Sequence, residues 1–253
     1  MQLNYNTFGA GFPLVILHGL LGSSDNWQSL AKQFSERFQV FTVDLRNHGA
    51  SPHSPQFDYP SMAGDIQEFL DSHRLSEVHL LGHSMGGKVA MLFAASNPGR
   101  VRKLVIADIA PKAYPPHHTH LLDALWKLDL PSFPDRTSMD RALAADIPEA
   151  PLRAFFLKSV TRDAGGKFTW KINLKTIREQ YSNIIEKPAL PNPFPNPTLF
   201  IRGTQSDYIL PEDEPEIRKD FPAAQFVSLE DAGHWLHAEK PHEFLQAAMD
   251  FLG

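Results

Sequence analysis

The chain contains no cysteine. That absence excludes disulfides, thiol catalysis and Cys-ligated zinc. Long apolar runs are also missing: none reaches the ~20 residues needed to span a bilayer. The first residues, Met1-Gln2-Leu3-Asn4-Tyr5-Asn6, carry neither a basic nor an apolar leader segment. A cytoplasmic protein is the expectation. Positive charge is scarce as well. The net charge is −5 and no dense Lys/Arg cluster occurs, so nothing points to nucleic acid. There is no internal repeat and no low-complexity tract.

What is present is a strand–helix alternation. Short apolar runs at Leu14–Leu17, Val40–Val43, Val78–Leu81 and Val101–Ala107 alternate with helical patterns at Ser29–Glu36, Met62–His73 and Lys88–Asn97. Strands apolar on both faces belong in a parallel sheet covered by helices on each side. The fold class is therefore α/β, with a mostly parallel central sheet. The rhythm breaks at Pro111. Between about 119 and 186 the spacing is helical, with Leu121, Leu122, Leu125, Trp126 and Leu128 on one stripe and a turn signal at Asp163–Gly166. The proline-rich stretch Pro188–Pro197 follows. Strand signals then resume at Thr198–Ile201 and Gln225–Leu229, and a last helix starts at Pro241. These breaks divide the chain into a core of residues 1–111 and 187–253 and a helical cap of residues 112–186.

One segment carries chemistry on its face. Gly82-His83-Ser84-Met85-Gly86 sits between a strand and a helix, the setting of a G-x-S-x-G nucleophile elbow. The tight turn exposes a serine hydroxyl, and the following helix N-terminus favours a developing oxyanion. A serine needs a base and a group to orient that base. His234, in Asp231-Ala232-Gly233-His234-Trp235, follows the last strand in a glycine-containing loop and is the expected base. Two acids compete. Asp108 follows the strand ending at Ala107, and Asp207 follows the strand ending at Ile201. Both loops lie at the carboxyl edge of the sheet. Oxyanion donors are expected at the amides of Met85 and Leu20, the latter in His18-Gly19-Leu20-Leu21-Gly22. Trp27, Trp126, Trp235, Phe155, Phe156 and Leu157 suggest an apolar pocket wall, with Trp235, Phe155 and Phe156 as substrate contacts. His117, His118 and His120, in a proline-rich stretch without neighbouring carboxylates, read as rim residues; so do His237 and His242. No metal site is expected.

Taken together, these strings resemble the α/β-hydrolase superfamily over nearly the whole chain. Four are the most telling: Asp44-Leu45-Arg46-Asn47-His48-Gly49-Ala50-Ser51-Pro52, Gly82–Lys88, Asp108-Ile109-Ala110-Pro111 and Gly233–Pro241. They are similar to a group of small bacterial esterases and their eukaryotic α/β-hydrolase-domain relatives. The resemblance implies a Ser84–His234–Asp108 triad with Ser206 as an auxiliary. Asp207 departs from that group, and remains the alternative acid in the commoner superfamily placement. The implied activity is hydrolysis of carboxylic esters or acyl thioesters through an acyl-enzyme, without a cofactor, by a monomer or homodimer. The alternatives on the same fold are a C–C bond hydrolase or lyase, for which Arg46 is the obvious acid clamp, and a non-catalytic ligand-binding protein.

Overall fold

Six of the apolar runs lie side by side as parallel strands. The computed structural model describes all residues, Met1–Gly253. In chain order the strands and helices begin β1 (Tyr5–Phe8), β2 (Phe12–Leu17), α1 (Gln28–Phe34), β3 (Phe38–Val43), α2 (Tyr59–Ser72), β4 (Val78–His83), α3 (Met85–Ser96) and β5 (Val101–Ala107). Residues 112–186 then supply α4 (Thr119–Trp126), α5 (Arg136–Leu143), α6 (Ala150–Leu157), β6 (Val160–Arg162), β7 (Phe168–Trp170), α7 (Leu174–Glu179) and α8 (Tyr181–Ile185). The chain closes with β8 (Thr198–Gly203), α9 (Glu214–Asp220), β9 (Ala224–Leu229), α10 (Leu236–Glu239) and α11 (Pro241–Leu252).

The main sheet has the order β1-β3-β2-β4-β5-β8-β9. Only β1 runs antiparallel, with Tyr5 opposite Val43. Alternate strand residues feed two separate cores. Leu14, Ile16, Leu81, Val105 and Ile201 pack against α1 and α11 through Leu30, Phe34, Phe244 and Leu252. Val15, Leu17, Leu80, Leu104 and Ile106 pack on the other face against Met62, Ile66, Val89 and Phe93 of α2 and α3. Both faces are dry, which is why the strands read as unbroken apolar runs.

Residues 112–186 join the second of these cores through Leu121, Met139, Phe156 and Ile177. This segment is not purely helical. The turn signal at Asp163–Gly166 joins two three-residue strands, β6 and β7, paired as an antiparallel hairpin. The helical stretch over 174–185 is two short helices, separated at Gln180. Helix α2 starts three residues earlier than its apolar pattern, because the Asp58 carboxylate caps the Ser61 N–H at 2.7 Å and Pro60 sits in the first turn.

Strand order places the site. From β2 the chain steps to β3 on one side, then crosses back to β4 on the other. The loops leaving β2 and β4 therefore diverge and leave a crevice at their carboxyl ends, where ligands bind in open α/β sheets.

Candidate active site

Ser84 alone joins β4 to α3, and its backbone takes the left-handed φ of +52° with ψ −121°. A non-glycine residue there is strained, at a cost of about 1–3 kcal/mol. The turn is held from both sides. Ser84 N–H donates to the Ala107 carbonyl at 3.1 Å, and the Ser84 carbonyl accepts from the N–H of Gly87 at 2.8 Å and of Lys88 at 3.2 Å. The glycines have a steric reason. A Cβ on Gly82 would lie 2.3 Å from the Gly86 carbonyl oxygen, and one on Gly86 would lie 2.5 Å from that of His18.

The Ser84 Oγ lies 3.0 Å from Nε2 of His234. On the far side of that ring, Nδ1 lies 2.8 Å from Oδ2 of Asp108. A carboxylate only accepts, so Nδ1 carries the proton and Nε2 is free to take one from Ser84. Asp108 is fully buried at the end of β5 with φ +51°. Its own N–H donates to Ile201 at 2.8 Å, its Oδ1 accepts from Gly203 N–H at 3.2 Å, and its Oδ2 accepts from the Ser206 hydroxyl. Burial pushes the Asp108 carboxyl up, and the bonds from Ser206 and Gly203 oppose that shift. Burial pushes His234 down, which keeps the imidazole neutral. Asp207 is exposed and makes no side-chain hydrogen bond, so of the two candidate acids only Asp108 meets the histidine.

Two supports of His234 were not legible as motifs. Tyr208 lays its ring on the imidazole, with centroids 3.8 Å apart and planes at 17°. His83 donates Nε2–H to the His234 carbonyl at 2.9 Å. The place of Tyr208 two residues after Ser206, and of His83 next to Ser84, is the only sequence signal for either.

The loop after β2 is stapled by two neutral imidazoles. His18 accepts the Leu45 N–H on Nε2 at 3.0 Å and donates Nδ1–H to Gly19 at 2.8 Å. His48 accepts the Leu21 N–H on Nε2 at 3.1 Å and donates Nδ1–H to Arg46 at 2.9 Å. Burial pushes His48 down to about 3, so it keeps the lone pair that this bond needs. Between these anchors the Leu20 N–H has no partner within the protein. The Met85 N–H, first in α3, has none inside its helix. Both residues line the space in front of Ser84. Two unspent N–H groups beside a serine hydroxyl suit a developing oxyanion.

The string Asp44–Pro52 buttresses this loop. The Asp44 carboxylate accepts from Ser24 N–H, Ala50 N–H and Asn4 Nδ2 at 2.7–2.9 Å. Gly49, at φ +57°, leaves it room: a Cβ there would lie 2.2 Å from that carboxylate. Arg46 is no substrate clamp, because it is buried and bidentate on Asp65 at 2.6 and 2.9 Å.

Of the expected wall residues, Phe155 and Trp235 line cavities at the site, as does the buried Trp27. Phe156 does not: it is buried in the core beneath α6. Trp126 is half exposed, on the outer surface. His237, expected at the surface or rim, is buried and stacked on Trp27 with centroids 4.4 Å apart, where it borders the cavity. His118 turns its Nδ1 to the Tyr181 hydroxyl at 3.1 Å.

Residues 13–241 match the family model for the alpha/beta hydrolase fold. The chain belongs to that family. It is 39% identical to the sn-1-specific diacylglycerol lipase ABHD11 of Mus musculus, over all of this chain and 85% of that protein. It is 34% identical to the esterase YbfF of Escherichia coli, over 95% of this chain and 92% of that one. A solved structure of a marine microorganism esterase superimposes with a TM-score of 0.97 at 41% identity, covering 99% of both chains. The resemblance to esterases along the whole length supports hydrolase activity. No helix is long and apolar enough to cross a membrane.

Proposed function

We propose that this protein is a serine hydrolase that cleaves carboxylic esters or acyl thioesters through an acyl-enzyme. The observation that carries this reading is the unbroken line from Asp108 Oδ2 to His234 Nδ1, 2.8 Å, and from Nε2 to Ser84 Oγ, 3.0 Å. Ser84 attacks the acyl carbon while His234 takes its proton. The oxyanion is held by the amides of Leu20 and Met85. His234 then returns the proton to the departing oxygen or sulfur, and the acyl group stays on Ser84. Water, deprotonated by the same ring, releases the acid. Asp108 holds the ring in the required tautomer, and Ser206 holds Asp108. No step calls for a cofactor.

Residues 112–186 act in this reading as a cap over Ser84, contributing Phe155, His118 and Tyr181 to its surroundings. The C–C hydrolase alternative loses its clamp, since the Arg46 guanidinium is committed to Asp65. A fluorophosphonate probe tests the proposal. It should label the wild-type protein on Ser84 and leave Ser84→Ala unlabelled. The alanine variant should fold normally and lose ester turnover by at least about 10³-fold. Full turnover without the hydroxyl would end the proposal.

A further inference from the structure

Ser84 stands between two unlike spaces. One is lined by Leu20, Met85, Ile109, Tyr114, Ile184 and Lys88, and His234 is not in its wall. Its free volume is about 40 Å³. The other, walled by His234 and Trp235, is itself about 30 Å³. It shares Asn26, Phe155, Trp235 and His237 with an outer groove of about 410 Å³. The surface of that groove is mostly apolar, from residues such as Leu152, Phe155 and Trp235, with charged Glu149, Lys158 and Glu239 also in its lining.

Proton transfer decides which half of an ester goes where. The leaving oxygen must come within hydrogen-bond reach of His234 Nε2. The alcohol half therefore leaves on the side walled by His234, toward the outer groove. The acyl half points the other way, past the Met85 amide, into the small space. That space is small and ends on a polar group. At its floor the Lys88 amino group donates to the Glu186 carbonyl at 2.7 Å and lies 4.8 Å from the Tyr114 ring centroid. The Tyr59 hydroxyl donates to the Ile184 carbonyl at 2.6 Å, pinning α8 as its wall. A growing alkyl chain would meet a buried polar amine and well-packed rings. In the groove each added methylene finds apolar surface instead.

We infer that the protein selects esters with a short acyl group and a long or bulky apolar alcohol. This rests on the serine-hydrolase reading above and adds the division of the substrate. Two isomers test it directly, octyl acetate and methyl nonanoate, which have the same atoms split in opposite ways. Octyl acetate should be hydrolysed with kcat/KM roughly tenfold or more above that of methyl nonanoate. Leu152→Trp, which fills the groove, should lower the ratio of octyl acetate to methyl acetate turnover. Ile184→Ala, which widens the floor space, should raise methyl nonanoate relative to octyl acetate. Each ratio is taken within one preparation, so loss of folded protein cancels. Labelling of Ser84 by a fluorophosphonate together with an equal or reversed isomer ratio overturns the division alone. Absence of labelling overturns the hydrolase reading with it.

Discussion

The ring of Tyr208 lies flat on that of His234, with 3.8 Å between centroids. The stack fixes the plane in which the imidazole must lie to reach both Ser84 and Asp108. The backbone of Tyr208 is itself pinned. Its carbonyl accepts from the Tyr114 hydroxyl at 2.7 Å, and its N–H donates to the Ser206 hydroxyl at 3.3 Å.

Tyr208 is therefore a positioning residue. Tyr208→Leu should lower kcat by up to about tenfold with little change in KM, the scale of a lost aromatic pair. Tyr208→Phe should restore it, because the ring and not the hydroxyl does the holding. Steady-state kinetics of both variants check this; a leucine variant as fast as wild type would speak against it.

Asp108→Asn and Asp207→Asn should differ sharply. An asparagine at 108 no longer selects the tautomer with its proton on Nδ1, and kcat should fall by about 10⁴-fold. Asp207, exposed and unbonded, should tolerate the change with near wild-type kinetics. Ser206→Ala removes one donor from a buried carboxylate. It should fall between, at about 10–100-fold, as 1.5–3 kcal/mol predicts. Equal effects at 108 and 207 would contradict the geometry.

The Arg46–Asp65 pair is structural. Asp65→Ala leaves a buried guanidinium without its carboxylate and should destabilise the fold by about 3–5 kcal/mol. KM of the remaining folded protein should stay unchanged. Chemical denaturation and kinetics on the same sample separate the two effects.

Stability should fall as pH drops from about 6.5. His48 and His83 are each pushed down to about 3 by burial, and His18 and His237 are lowered for the same reason. In the unfolded chain these rings take up protons near pH 6.5. Between that pH and about 3 the unfolded state binds more protons, so its free energy drops relative to the native state. Asp108, pushed upward, opposes with a single group. Calorimetry at pH 7 and pH 5 should show a lower Tm at pH 5 and net proton uptake on unfolding. A Tm independent of pH across that range would refute the assignment.

The central parallel strands were legible because both of their faces are dry and their residues are largely apolar, and the edge strand β9, with Gln225 and Ser228 exposed, showed through its Phe226-Val227 centre. β1 was not. Only alternate residues of Tyr5-Asn6-Thr7-Phe8 are partly covered at the sheet edge, and four residues carry too little pattern. The β6–β7 hairpin escaped for the same reason, with three residues to a strand and only its turn announced. Helix α5 is largely polar, and its start depends on Asp135 capping Ser138 N–H at 2.7 Å. At the site, Ser84 and His234 stood in contexts that local chemistry makes plain. Asp108 and Asp207 did not separate. Each follows a strand at the same sheet edge, and what divides them is burial and the left-handed turn at 108, set by neighbours distant in sequence. Phe155 and Phe156 were likewise equivalent on paper; the helix turns one to the cavity and the other to the core.

The whole excursion from Asp108 to Pro197 leaves and re-enters the sheet at neighbouring strands. Ala107 pairs with Ile201, and the Asp108 N–H donates to the Ile201 carbonyl at 2.8 Å. The excursion is thus clasped at its root, and the clasp is built from the same backbone that orients the acid. Everything beyond it is a detachable loop in the topological sense. Ser84, His234 and Asp108 are tied to the strands, and a change in the excursion reaches them through the core that residues 112–186 share with α2 and α3. In such a plan the reacting groups all lie outside the excursion, and the surroundings of Ser84 are drawn from both stretches of chain.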